Sequence, residues 1–296
     1  MSHNNDIQFS AWDDFEVVGH DGLVSAAEQY KSFLHFKKTV SKLPMNELVK
    51  RGWISSEDPT SSLLSFFKNI HKDRCGVLYR KSDSSNEVLI SLWLSHLKST
   101  SEIEYFIKKP PQFTGITKED LRNIARMSPD VHSINKLPEI LLDYGIILIY
   151  QKSFNGMKLD GVSFKLSTGT PVIGLSFRFK RLDYFWFTLM HELSHLSLHY
   201  ELLDNPILDE LDVDSDSPIE VAANRMAKAA FVDRHIWRNC TPKYDKSIGA
   251  INKFAHEVNI HPAIIAGLLR KESGDFKAYS TIVNDFNVRE EVFGND

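Results

Sequence analysis

Residues 183–199 read DYFWFTLMHELSHLSLH, and the reading of this stretch decides the second half of the chain. Phe185, Trp186, Leu189, Met190, Leu193, Leu196 and Leu198 give it a broad apolar surface, so a long helix is expected from about Asp183 through His199. His191, Glu192 and His195 form an H-E-x-x-H pattern inside it. On a helix, residues i and i+4 project from one face, so the two imidazoles can chelate a single ion. Glu192 lies one step round the helix. There it can take a proton from water and later deliver it to a leaving amine. Such a helix should be largely buried, with only the metal face open. The pattern is short, and two incidental histidines on a buried helix are the reading it must displace.

Catalytic zinc takes three protein ligands and keeps one position for water. The third is sought downstream, where residues 218–227 read PIEVAANRMA and a second helix is expected from about Pro218 to Val232. Glu220 on this helix is the candidate ligand. Asn224, one turn further on the same face, is placed to orient a ligating imidazole through its other ring nitrogen. The intervening loop, residues 204–217, carries Asp204, Asp209, Glu210, Asp212, Asp214 and Asp216. Each competes for the ligand role, but a loop lacks the rigid placement of a helix. A solvated acidic surface, a calcium site and a gate over the metal are the readings open to that loop. His199, at i+8 from His191, either touches substrate and ligands or ends the helix structurally. Tyr200 either polarises a substrate carbonyl or packs.

Upstream, residues 146–150 are a continuous apolar, β-branched run that reads as a buried strand. Strands at Val162–Leu166 and Val172–Phe179 follow, with Thr168, Gly169 and Thr170 turning between them. Helices are expected at Thr117–Met127, Leu137–Tyr144, Ile248–Val258 and Ala263–Lys271. Strands followed by helices predict an α+β class for this half. Pro110, Pro111, Phe113, Thr114 and Gly115 mark a linker, dividing a mostly helical region 1–110 from a domain at 116–296. In the first region, residues 1–20 read as an irregular arm and Gly22–Ser41 as a helix. Short helices are expected at Met45–Lys50, Leu63–Phe67 and Ser91–Leu97, with a strand or loop at Gly76–Tyr79 and Lys81–Asn86.

The 19 Phe and 5 Trp among 296 residues argue for packed cores. A net charge of −4 gives no electrostatic case for nucleic-acid binding. Cys75 and Cys240 are too few and too separate for a disulfide framework. With neither a signal peptide nor about 20 consecutive apolar residues, the expectation is a soluble cytoplasmic protein.

Three separated segments carry a resemblance. Residues 171–180 (PVIGLSFRFK), Asp183, 185–189 (FWFTL) and 191–195 (HELSH) resemble the ImmA/IrrE family of metallopeptidases. Glu220 with Ala223–Ala227 is similar to that family's third-ligand segment. Phe254, Ala255 and 260–267 (IHPAIIAG) resemble its C-terminal helical part, so the likeness covers about Leu137 to Lys271. Met226 replaces an aromatic common in the family, and Phe231-Val232-Asp233 departs from its Leu-rich, Pro-terminated ending. Residues 43–54 (LPMNELVKRGWI) resemble the spacer of HigA-like regulators, which begin with a helix-turn-helix domain. Too few residues precede Leu43 to hold one, so the expectation is a chain without it.

The resemblance implies a zincin-like domain, a small sheet plus active-site helices, with Zn2+ held by His191, His195 and Glu220 in the gluzincin manner. It also implies cleavage of a protein partner, a helix-turn-helix repressor or antitoxin, in a toxin–antitoxin, prophage or stress-response system. The alternative is a non-catalytic toxin or antitoxin subunit using this fold as scaffold, with residues 1–110 binding the partner. A weaker reading is DNA binding through Ile248–Leu269. Direct contact with nucleic acid or membrane is not expected.

Overall fold

The computed structural model describes residues 43–59, 61–63, 85–209 and 217–294, and contacts divide the chain into Met1–His96 and Leu97–Asp296. The arm, the Gly22–Ser41 helix, all but the first residue of Leu63–Phe67, Gly76–Tyr79, most of Lys81–Asn86, Cys75 and residues 210–216 of the acidic loop lie outside the described residues.

In the first unit, helix α1 (Met45–Lys50) buries Leu48 and stops at Gly52, which takes the left-handed φ of 70°. Trp53 stacks on His96 with ring centroids 4.0 Å apart. The short helix expected at Ser91–Leu97 is part of a longer one, α2 (Ser85–Lys108). Its middle buries Leu92, Trp93, Leu94 and Leu97, whereas Ile103, Phe106 and Ile107 near its end are exposed. The polar run Lys98–Glu102 interrupts the apolar spacing and hides the helix's length. Residues 109–117, which include the proline pair, have no regular structure.

The second unit is α+β, as the element order predicted. Thr117 opens α3 (Lys118–Ala125) with a reciprocal capping box to Asp120. Helix α4 (Leu137–Asp143) leads through Gly145 into β1 (Ile147–Tyr150). Strands β2 (Gly161–Lys165) and β3 (Pro171–Leu175) form a hairpin closed by Gly169 N–H on the Leu166 carbonyl. A fourth strand, β4 (Ile207–Asp209), adds to the expected three. Only three residues long and beside a carboxylate-rich loop, it offers no apolar alternation to read. The sheet order is β1-β3-β2-β4, with β1 parallel to β3 and the other pairs antiparallel. Strand β2 is interior because it pairs with β3 on one edge and β4 on the other, and it borders the functional helix.

That helix is α5 (Leu182–His199), buried from Leu182 to Leu196 apart from Tyr184 and Phe187. It packs on β2, β3 and α6 (Pro218–Phe231). Ala223, Ala227 and Ala230 form the buried face of α6, and such small side chains let two helix axes approach closely. Helix α7 (Arg234–Arg238) follows, then α8 (Ile248–Val258) and α9 (Pro262–Ser273), joined by the left-handed Asn259. Helix α9 is buried continuously from Ala263 to Arg270. Short helices α10 (Ser280–Val283) and α11 (Val288–Phe293) close the chain against the segment after β3. There Val288 N–H donates to the Lys180 carbonyl at 2.9 Å, and Arg289 Nε to the Phe177 carbonyl at 2.6 Å. Among the described residues, no helix is long and apolar enough to cross a membrane.

Candidate metal centre

One turn of α5 separates His191 from His195, and their Nε2 atoms face each other at 2.9 Å. Glu220, in the first turn of α6, reaches both: Oε2 lies 3.1 Å from His191 Nε2 and Oε1 3.5 Å from His195 Nε2. The alanine face of α6 makes this reach possible, since Glu220, Ala223, Asn224 and Ala227 share one side of the helix. Hydrogen bonds to His191, then to His195, hold the Glu220 carboxyl far below the usual carboxylate range, against the opposing effect of its partial burial.

The flanking nitrogens are also engaged. Asn224 Oδ1 lies 3.1 Å from His191 Nδ1, an arrangement in which Nδ1 carries the proton and Nε2 presents a lone pair to the centre. His199 Nδ1 lies 3.1 Å from His195 Nδ1. Burial, followed by the neighbouring His195, pushes the His199 imidazole below its ordinary pKa. Tyr200 is committed elsewhere: its hydroxyl donates to the Gly169 carbonyl at 2.6 Å and its ring meets Phe113. These contacts are packing contacts.

Glu192 is fully buried and turned towards β2, where Ser163 Oγ–H donates to its Oε2 at 2.5 Å. Gly161, two residues earlier on the same face of β2, lies so close that a Cβ there would fall 2.1 Å from Glu192 Oε1. The strand thus holds the carboxylate from two positions, one by a hydrogen bond and one by having no side chain.

Residues 143–270 match the family described as Peptidase_M78, IrrE N-terminal-like domain. The chain carries an ImmA/IrrE-family domain. No curated protein matches the chain. The ImmA/IrrE-family match runs from the last residue of α4 through most of α9, so it contains the whole sheet and both helices that carry His191, His195 and Glu220. It is a metallopeptidase-type family, and such a family implies a metal.

The donor set of this ImmA/IrrE-family domain fits one. Ligand atoms of His191, His195 and Glu220 all lie within 4.8 Å of one another. Around a tetrahedral zinc with bonds of about 2.0–2.1 Å, ligand atoms sit about 3.3 Å apart, and the three observed separations bracket that value. Two imidazoles whose lone pairs face each other beside a carboxylate also need a positive charge between them. Among the described residues this is the one cluster of that kind. Of the loop carboxylates, the described Asp204 pairs with Lys165 at 3.4 Å.

Ser163 and Gly161 escaped the sequence reading. Their only signal is the i, i+2 spacing on one strand face, which carries no meaning until β2 is known to border α5.

Proposed function

We propose that this protein is a zinc-dependent endopeptidase that cleaves a specific protein partner, a helix-turn-helix repressor or antitoxin supplied as a separate chain, in a toxin–antitoxin, prophage or stress-response system. The observation that carries the activity is the convergence of His191, His195 and Glu220 beside a buried Glu192 oriented by Ser163. The partner class rests on the family resemblance alone.

His191, His195 and Glu220 are the residues that would hold the ion. Zinc, when bound, supplies Lewis acidity that polarises the scissile carbonyl and makes water easier to deprotonate. Glu192 takes a proton from the attacking water as its oxygen bonds the carbonyl carbon. As the C–N bond breaks, Glu192 passes that proton to the leaving nitrogen, so the base is restored at the end of the cycle. Ser163 keeps the carboxylate aimed throughout. Asn224 fixes the tautomer of His191, and His199 does the same for His195. Burial keeps bulk water from competing for the Glu192 proton.

Metal content is the first test. Wild type is expected to carry about one zinc per chain, lost in both His195→Ala and Glu220→Ala. Glu192→Gln should keep the ion and lose cleavage of a co-expressed repressor or antitoxin. A wild type that binds no zinc after gentle purification and zinc addition would overturn the peptidase reading.

The exposed Ile103, Phe106 and Ile107 at the end of α2 favour a second reading, a binding component that uses this fold as scaffold. Under that reading Glu192→Gln leaves biological activity intact, and polar substitutions at those three residues abolish it. Recognition of DNA through α8 and α9 has little support: with eight consecutive residues of α9 buried, the helix has little free face to lay in a groove.

A further inference from the structure

Helices α5, α6 and α9 border a cleft of about 530 Å³, a size typical of ligand pockets. Asn224 lines it and also contacts His191, so the cleft begins where the metal centre ends. Four cationic side chains, Arg181, Lys228, Arg270 and Lys271, line it against two carboxylates, Asp183 and Glu272. Both carboxylates are already engaged. Arg181 grips Asp183 through two guanidinium nitrogens, and Glu272 accepts from Lys243 Nζ and Trp237 Nε1, each at 2.6 Å.

Arg270 is answered only in part. It is 6% exposed, and its Nη2 donates to the Phe276 carbonyl, but Nε and Nη1 are buried with no hydrogen-bond partner. Burial, then the nearby Arg181, pushes its pKa down, while Asp183 offsets this from one side. Arginine does not shed its proton in proteins, so a buried guanidinium with two unanswered donors favours a further polar partner, and an anion entering from the cleft beside it would bring the matching charge. The remaining wall is apolar, with Phe187, Leu268 and Phe276. Such a wall suits the methylenes of an acidic side chain better than a fully hydrated phosphate.

We infer that this cleft is a subsite for an acidic residue of a peptide, with its carboxylate received by Arg270 and drawn in by Lys228 and Lys271. The inference deepens the peptidase reading and rests on it for the word substrate. It gives that substrate a chemical class: segments carrying Glu or Asp close to the bond that is cut.

The test measures binding without cleavage, using the zinc-loaded full chain bearing Glu192→Gln. The probe is the blocked peptide acetyl-Ala-Ala-Glu-Ala-Ala-amide, titrated calorimetrically against its Gln counterpart. The Glu peptide should bind at least about tenfold more tightly, the scale of a charge-assisted hydrogen bond, and added salt should weaken it. Arg270→Gln should erase that preference. Because Arg270 is buried, Lys228→Gln on the more exposed wall serves as the second variant, with a loss of about threefold expected from one solvent-screened charge. Equal binding of the two peptides, no binding of either, or a Glu preference that survives both substitutions overturns the inference. So does inorganic phosphate if it binds more tightly than the Glu peptide. The two readings fail separately. A Glu preference in a protein that cleaves nothing keeps the subsite and removes the peptidase, and cleavage without a Glu preference does the reverse.

Discussion

The two ends of α5 treat charge in opposite ways. At His191–His199, the ring nitrogens converge on Glu220, Asn224 and His199, and the donor set becomes coherent once a cation joins it. At Arg181–Phe187 the same helix borders a cleft in which Arg270 keeps two donors without partners. One end is organised to hold a positive ion and the other to receive a negative group. A peptide lying across both would present its carbonyl to the first and its acidic side chain to the second. Each end also depends on one glycine. A Cβ on Gly161 would strike Glu192, and a Cβ on Gly267 would come within 2.5 Å of Asp183 Oδ2.

The comparison breaks most visibly at the metal end. Glu192→Gln is expected to slow cleavage by about 10²–10⁴-fold, the usual worth of a general base, with zinc content unchanged. Metal analysis beside a cleavage assay separates this from loss of the ion. Removing zinc with a chelator, or removing Glu220, should lower stability by about 2.7 kcal/mol when free zinc had stood at about a hundredfold its Kd. Denaturant melts of holo and apo protein measure that difference.

The glycine pair sharpens the contrast. Gly161→Ala should cost about 1–3 kcal/mol through overpacking and also displace Glu192, so activity falls further than stability explains. Gly267→Ala carries a similar overpacking cost, but its target is the Asp183–Arg181 pair, so zinc binding should survive. If both variants lose zinc equally, the two ends do not act separately.

The smallest effect concerns α9, which forms one wall of the cleft. Its N-cap is His261, whose Nδ1 accepts from Ala263 N–H at 3.1 Å and must therefore be unprotonated. Burial pushes this imidazole below its ordinary value of 6.5, and Asp285 only partly opposes the shift. With the folded pKa depressed, the unfolded chain binds the extra proton first. This contribution is therefore complete above pH 6.5 and lost as pH falls through the folded pKa. His261→Asn keeps a capping acceptor without a titrating ring, so its melts should lose that part of the pH slope, a cap being worth about 1 kcal/mol. An unchanged slope would remove His261 as the cause.

Much of the second unit was legible from residues alone. Ile248–Val258 was expected at the bounds the structure has, and α5 and α6 within a residue or two, because apolar spacing, Pro218 and a dense aromatic run are local signals. Val172–Phe179 was read too long. The strand stops at Leu175, since Phe177 takes a φ of 53° outside extended geometry and its aromatic ring packs regardless. Strand β4 and the short C-terminal helices left no signal, being stabilised by distant partners rather than by their own pattern.

By itself the sequence determined the long helices of the second unit and that His191, Glu192 and His195 share a turn, because helical periodicity is a property of neighbours in the chain. Only the tertiary structure decided that Glu220 reaches both imidazoles, that Ser163 and Gly161 hold Glu192, and that Arg270 lines a cleft while two of its donors are buried without partners. The contacts at the metal centre join residues 25 to 31 positions apart, with Glu220 reaching back to His195 and His191, and Glu192 held by Ser163 and Gly161 on a strand that precedes its helix. Such contacts arise from how closely packed elements approach one another, and no local spacing encodes that distance.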